Sequence, residues 1–428
     1  MKKQINIGIL GLGTIGSGTY SVLNSHKSDY VKRVGAKIAI KKIAVKSLNK
    51  KRLVKVPKSL LTTDVLSIVN NPEIDVVVEL MGGINPAKDL ILKALKNKKH
   101  VVTANKELLA NYGKQIFDTA AKNDVDIYFE ASVGGGIPII RPLKRELAAN
   151  RIIKVMGIVN GTTNYILTKM ADEGSFFEQA LSEAQAKGYA EANPKADVDG
   201  YDAAAKIAIL ASIAFNSRVV ANQVFTEGIR AIKPQDIEYA RDMNHVIKLI
   251  ALAKENKEGL DVRVHPTMIP VSHPLAAVSD VYNAIFVEGD AVGEVMFFGQ
   301  GAGGKPTASA VVGDIIDIAG NIIDGRTGKM KCTCYNKKQV MPVGQIISSY
   351  YLRMKVADKP GVLAKIARVF GDKQVSIGSV IQKGHGGKLA DLVFITHQTK
   401  EKNLRAALML INSLDEVSKT NNVIRVEG

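Results

Sequence analysis

Tryptophan is absent from the 428 residues, and cysteine occurs only twice. Cys332 and Cys334 are separated by one residue, too close to staple a fold. That usage fits a reducing compartment. The seven histidines form no metal spacing, so neither a zinc site nor a Ser-His-Asp triad is indicated. Long apolar runs are also missing. In the helical middle the longest, residues 207–215, is interrupted by Ser212 and falls short of the ~20 residues a membrane span needs. Acidic residues are scarce at the start. Between Met1 and Lys58 there are 14 Lys or Arg and a single acid, Asp29. The whole chain carries a formal charge of +17. No aromatics interleave with these basic residues and no helix-turn-helix spacing is present, so no nucleic-acid partner is expected. Met1-Lys2-Lys3 runs directly into a strand pattern broken by glycines, which is not a signal peptide. The expectation is a cytoplasmic protein with no membrane partner.

What is present is the mix of a folded protein. Apolar residues make up 46% and charged residues 23%, and the length suggests two or three domains. The pattern reads in three parts. In the first, apolar strands at 5–10, 37–45, 75–80, 100–103 and 126–130 are separated by helices at 14–23, 86–97 and 107–123. Strands and helices in that alternation predict a parallel sheet joined by right-handed crossovers. The second part is α+β. A strand at 152–159 precedes helices at 163–170, 176–187, 201–215 and 234–253, and strands follow at 261–268, 284–288 and 294–298. An irregular Gly- and Lys-rich stretch, 321–348, leads to the third part. There the order β-α-β-β-α-β between 350 and 426 predicts a small ferredoxin-like unit.

Gly11-x-Gly13-x-x-Gly16 follows the first strand and opens a helix, the context that gives this fingerprint its meaning. Gly11 permits the tight turn, Gly13 leaves room for a pyrophosphate, and Gly16 lets helix and strand approach. The N–H groups of the helix start, at Thr14 and Ile15, would face the phosphates. A Rossmann-type domain binding a dinucleotide is therefore expected. An NAD site usually carries an acid near the end of the second strand, but no acid occurs between Asp29 and Asp64. That strand ends Val45-Lys46-Ser47, and a cation with a hydroxyl suits a 2′-phosphate. NADP is favoured, with NAD as the alternative and Lys46 the residue selected. Lys50, Lys51 and Arg52 read equally as a solvated loop. Thr103-Ala104-Asn105-Lys106 lies at a strand's C-terminal end, where ligands bind in open α/β sheets, although a lone lysine there also reads as surface. Asp202 and Lys206 are spaced to share one helix face, which by itself is an ordinary ion-pair spacing.

Several longer stretches carry a more specific signal. They are Met81-Gly82-Gly83, Asn160-Gly161-Thr162-Thr163-Asn164-Tyr165, Gly188-Tyr189-Ala190-Glu191, the run from Asp197 to Ile207, and Gly299-Gln300-Gly301-Ala302-Gly303-Gly304 with Pro306-Thr307-Ala308. With the glycine fingerprint and Thr103–Lys106, this set resembles the homoserine dehydrogenases, in order from Gly11 to Ala308. Asp358-Lys359-Pro360-Gly361-Val362-Leu363 resembles the start of an ACT domain.

The resemblance implies a Rossmann-type domain over 1–133, with 305–320 returning to it. A catalytic and dimerisation domain would cover 134–304, a linker 321–348 and an ACT regulatory domain 349–428. The implied reaction is reversible, nicotinamide-dependent reduction of L-aspartate 4-semialdehyde to L-homoserine, a step in threonine and methionine biosynthesis. Lys206 would protonate the carbonyl oxygen, and Lys106 would orient the substrate beside the nicotinamide. Glu191, Asp202 and Asp197 would hold the substrate, while Thr103 and Gly303 would join the cofactor site. The family's monovalent cation, Na+ or K+, would fall at Glu130, Val133, Gly135 and Ile137, mostly through backbone carbonyls. A plain glycine hinge at 134–136 explains the same residues. A homodimer or larger assembly and threonine feedback are implied too. The alternative is another ACT-bearing NAD(P) enzyme, such as a hydroxyacid dehydrogenase, which would want a His–acid pair.

Overall fold

The computed structural model describes residues 2–328, 330–383 and 388–427; residue 329 of the expected linker and 384–387 of the expected ACT region lie outside them. The chain divides into two compact units. The first comprises Met1–Val155, Ala205–Gln223 and Asn283–Lys338, and the second Met156–Ala204, Val224–Tyr282 and Gln339–Gly428.

The first unit is built on six parallel strands: β1 (Gln4–Leu10), β2 (Lys37–Ala44), β3 (Leu61–Thr62), β4 (Val76–Glu79), β5 (His100–Thr103) and β6 (Ile127–Tyr128). Their order is β3-β2-β1-β4-β5-β6. The order reverses at β1, so the crevice at the carboxyl ends of β1 and β4 is where such sheets bind ligands. Ile5, Ile7, Ile9 and Val76–Val78 are fully buried, as expected of strands covered on both faces. The Gly304–Ile323 helix is long and apolar enough to cross a membrane by length and composition alone. Here it packs on the Thr14–Ser25 helix. A Cβ on Gly18 would sit 2.4 Å from the Gly304 carbonyl oxygen, so the absence of that atom sets how closely the two helices approach.

In the second unit, adjacent strands run in the order His245–Asn256, Gly259–Pro270, Val417–Val426, Ile347–Ala357, Leu389–Thr396, Ile377–Lys383. The last four carry the expected ferredoxin-like topology, with the Val362–Asp372 and Glu401–Ile411 helices between them. Their core is Leu352, Met354, Ile366, Phe370, Phe394, Leu404 and Ile411. Val417–Val426 also pairs in parallel with Gly259–Pro270, Thr267 opposite Arg425, so this small sheet continues the larger one.

One predicted element is corrected. The helix expected over 234–253 stops at Asp242, and His245–Asn256 is a strand antiparallel to Gly259–Pro270. Asn244, at φ 56°, turns the chain out of the helix. The run from Leu249 to Ala253 is buried without alternation. Such a strand is indistinguishable from a buried helix by periodicity.

Lys248 on this strand is buried, and its Nζ donates to the Val278 carbonyl at 2.7 Å. Burial holds the amine at about 8, with Asp172 opposing weakly. The unfolded chain binds a proton the native state lacks between pH 8 and about 10.4, so stability rises with pH through that window. Below it the lysine weakens the fold by something on the order of 3 kcal/mol. Lys248→Met is expected to raise urea-unfolding stability at pH 7 by about 1–3 kcal/mol, with the gain vanishing by pH 10.5. Asn164 Nδ2 also donates to the Val278 oxygen, at 3.3 Å, so that carbonyl keeps a partner.

Candidate active site

The glycine fingerprint forms the turn after β1. Gly11 has φ 103°, and its N–H bonds the Ala44 oxygen at 3.0 Å. A Cβ there would meet the Leu80 oxygen at 2.8 Å, and one on Gly16 would meet the Gly11 oxygen at 2.3 Å. Gly13 is different: a Cβ would find nothing within 4 Å. Its bare backbone faces open space at the start of the Thr14–Ser25 helix, whose N-terminus no side chain caps. Thr14 is exposed and Ile15 half-buried in that first turn. The terminus of the Gly304–Ile323 helix lies beside it. Gly303, at φ 116°, is its uncapped N-cap, and a Cβ on Gly304 would sit 3.3 Å from Thr14 Cγ2. Two uncapped helix N-termini at one turn form a cradle of N–H groups and positive dipole ends. This cradle fits the pyrophosphate of a dinucleotide.

Lys46 is exposed two residues beyond β2. Arg52 folds back so that Nη2 donates to the Ser47 oxygen at 2.5 Å, which puts a second cation in the same loop. Spacing alone did not separate Arg52 from its solvated neighbours.

Glu79 was not selected from sequence, yet it organises the ends of β4 and β5. Fully buried, it accepts from the Met81 and Gly82 N–H groups at 2.8 and 3.2 Å and from Thr103 Oγ1 at 2.7 Å. The Thr103 hydroxyl in turn accepts from Asn105 N–H. Asn105 caps the Lys106–Lys122 helix and donates to the Gly83 oxygen at 2.6 Å. Lys106 is thus the first residue of a helix whose entry is pinned on both sides, and it is half-buried. Lys206 belongs to the same unit, half-buried on the Tyr201–Ala214 helix.

The Glu130 carboxylate is committed. Its Oε1 accepts from Ile139 and Ile140 N–H at 2.6 and 2.7 Å, and its Oε2 from Arg141 N–H and Nε at 2.9 and 3.3 Å. Asp314, fully buried, accepts from Glu130 N–H; burial first and Glu130 second hold its carboxyl well above the usual range. Among the described residues no cluster of three His, Cys, Asp or Glu could hold a metal, and the backbone hydrogen bonds of this turn, from Gly136 N–H to the Gln300 oxygen and from Ile137 N–H to the Gly134 oxygen, use carbonyls other than those of Val133, Gly135 and Ile137. Gly135 sits at φ 55° where a Cβ would strike the Gly301 oxygen, so that turn excludes side chains. An all-carbonyl donor set of this kind suits a hard monovalent cation and not a transition metal.

In the second unit Asn160 brings two of the predicted acids together. Its Nδ2 donates to Asp197 Oδ1 at 2.7 Å and to Asp202 Oδ2 at 2.9 Å. Its Oδ1 caps the Gly161–Glu173 helix by accepting from Thr163 N–H. An Asn before Gly-Thr-Thr is a cap signal, but its grip on distant acids leaves no local mark. Glu191 is exposed, and Gln185 Nε2 holds its carbonyl at 3.0 Å.

The family model of homoserine dehydrogenase matches residues 138–316, its NAD-binding domain 11–130 and the ACT domain 350–416. A homoserine dehydrogenase of Synechocystis is 48% identical over 99% of this chain and 99% of its own length. The crystal structure of one from Thiobacillus denitrificans superposes with a TM-score of 0.94 at 42% identity, covering 100% of this chain and 99% of that one. A hyperthermophilic archaeal homoserine dehydrogenase in complex with NADPH matches 74% of this chain and 97% of its own, at TM-score 0.63 and 27% identity. These likenesses leave no support for the hydroxyacid dehydrogenase alternative. The chain belongs to the homoserine dehydrogenase family, nicotinamide-dependent oxidoreductases acting on a CH–OH group, and carries the ACT domain at its C-terminal end.

Proposed function

We propose that this chain interconverts L-aspartate 4-semialdehyde and L-homoserine with NADP(H) as the preferred cofactor and Lys206 as the proton donor. The bound nicotinamide supplies the hydride. Lys206 gives its proton to the carbonyl oxygen, where alkoxide charge develops, and takes it back in the reverse direction. Lys106, at the head of its pinned helix, orients the aldehyde and assists proton traffic. Asp202 and Asp197, oriented by Asn160, and Glu191 accept hydrogen bonds from the substrate's ammonium and hydroxyl groups. The observation that carries this reading is the uncapped glycine cradle in one unit with both lysines.

Thr14, Ile15 and Gly16 offer N–H groups to the pyrophosphate, with Gly11 setting the turn, Gly13 clearing the ligand's path, Thr103 shaping the strand end and Gly303 opening the second helix. Lys46, in a strand end free of acids, binds the 2′-phosphate. With L-homoserine as substrate, Lys46→Ala is expected to raise KM for NADP about tenfold or more, the size of one charge-assisted contact, and to leave KM for NAD nearly unchanged. Equal effects on both cofactors would remove Lys46 from the phosphate site.

The carbonyls of Glu130, Val133, Gly135 and Ile137 hold a Na+ or K+ ion that stiffens the turn before the Ile140–Lys144 helix. Assembly is as a homodimer or larger. The strand Gly293–Gln300 supports this by exposing 41% of Met296 and 55% of Phe298. The ACT domain binds threonine as a feedback effector, which Gly361 supports as the uncapped N-cap of the Val362–Asp372 helix. The enzyme works in the cytoplasm.

A further inference from the structure

Cys332 and Cys334 have no part in the family reaction, yet their surroundings in the first unit are those of a reactive thiol. Both are free, and Cys332 is exposed. Arg218 Nη2 donates to Cys332 Sγ at 3.0 Å. Lys144 Nζ donates to the carbonyls of Lys331 and Met330, at 2.5 and 3.3 Å, which brings a second cation to the same loop. A hydrogen bond from Cys334, then Arg218 and Lys144, hold the Cys332 thiol down at about 5 against the effect of burial. The same bond pushes the Cys334 thiol up. A thiol so placed is ionised at neutral pH, and the thiolate is the nucleophilic form.

Behind the pair is a pocket whose walls come from two helices. Leu109 and Phe117 belong to the Lys106–Lys122 helix, and Ile209 and Ile213 to the Tyr201–Ala214 helix. Cys334 Sγ contacts the Ser212 carbonyl at 3.6 Å on the second of these. Lys144 Nζ and the Arg218 guanidinium lie 5.8 and 5.7 Å from the centre of the Phe117 ring, on the first. The charge of the Cys332 thiolate therefore balances two cations that pack on one lysine-bearing helix, while its partner thiol rests on the other.

We propose that Cys332 is a modification site that exchanges with small-molecule disulfides, and that its capping shifts the two helices carrying Lys106 and Lys206. The thiolate sulfur attacks one sulfur of a disulfide RSSR. A mixed disulfide, Cys332–S–S–R, forms as the S–S bond of RSSR breaks, and the second sulfur leaves as RS− and takes a proton from solvent. The disulfide is the oxidant and is named by class. Capping removes the negative charge facing Arg218 and Lys144, and it adds bulk at the mouth of the pocket. The effect on turnover rests on the reaction proposed above; the exchange itself does not.

The test uses the full-length enzyme, with iodoacetamide and oxidised glutathione as probes. The rate of Cys332 alkylation, followed by peptide mass, is expected to stay nearly flat from pH 6 to pH 8. An ordinary thiol gains roughly tenfold per pH unit over that range. Arg218→Gln is expected to restore part of that slope. Oxidised glutathione at pH 6.5 should add one glutathionyl group, at Cys332, and lower homoserine-dependent turnover at least threefold, reversibly with dithiothreitol. Cys332→Ser should keep the basal activity and resist the treatment. A tenfold-per-unit alkylation profile, or an adduct elsewhere, overturns the reactive thiol. Full capping with unchanged turnover overturns the link to the helices. Untreated enzyme inactive on homoserine would instead defeat the proposed reaction, and the alkylation profile would still report on the thiol.

Discussion

Lys206→Ala is expected to lower kcat by about 10²–10⁴-fold, the range spanned by loss of a positioned general acid. The cofactor's dissociation constant should stay within about twofold of wild type, because the cradle is built from backbone at Gly11–Gly16 and Gly303, far along the chain from the substitution. The two readouts together separate loss of proton transfer from loss of structure. The Tyr201–Ala214 helix is otherwise lined with buried alanine, isoleucine and leucine, so an added alanine suits it. The expected signature is a fall in kcat and kcat/KM together, as when an interaction made in the transition state is removed. A variant that kept near wild-type kcat would assign the proton to another group, with Lys106 the first to test by the same substitution.

The second large effect is on stability. Asp236 is fully buried at the start of the Pro234–Asp242 helix. Its carboxylate accepts from Tyr351 Oη at 3.0 Å, from Arg353 Nε and Nη2 at 2.7 and 3.2 Å, and from Asn422 Nδ2 at 2.8 Å. It also accepts from the Lys233 N–H as part of the helix cap. One side chain thus ties this helix to the first and last strands of the ACT region. Burial, with the charge of Asp236 next, pushes the Tyr351 hydroxyl up, so it stays a neutral donor. Asp236→Ala leaves a largely buried guanidinium without the carboxylate it bonds directly, with Asp391 the remaining acid acting on it. Removing one partner of such a pair typically destabilises by about 3–5 kcal/mol. Urea unfolding of the full-length protein should show the lowered midpoint. Asp236→Asn, which keeps the shape and part of the acceptor capacity, should lose less. A shift below about 1 kcal/mol in Asp236→Ala would mean that water replaces the carboxylate.

These two residues differ in how far the sequence announced them. The turn at Gly11–Gly16 was legible because each glycine answers a local demand, a positive φ or a close backbone approach, that no other residue meets. Five of the six parallel strands were legible for a related reason: they are short, apolar on both faces and set between helices, whereas the two-residue strand Leu61–Thr62 is too short to leave a pattern. Lys206 is singled out as a proton donor through the specific run around it, not through its spacing from Asp202, which many surface helices share. Asp236 sat unnoticed inside a predicted helix, because its partners lie 115 to 186 positions away and leave no periodic trace. Asn160 stood in a quoted motif without a role, and Glu79 went unremarked, because the bonds from Asn160 to Asp197 and Asp202 and from Thr103 to Glu79 join residues 24 to 42 positions apart. The strand His245–Asn256 was misread because its buried face is continuous, and only Asn244 marked the break.

The most direct measurement is NADP reduction by the purified full-length chain with L-homoserine as sole substrate. The account predicts steady NADPH formation that requires homoserine and exceeds, at equal concentrations, the rate with NAD. No homoserine-dependent reduction of either nucleotide, in enzyme shown to bind NADPH, would contradict it.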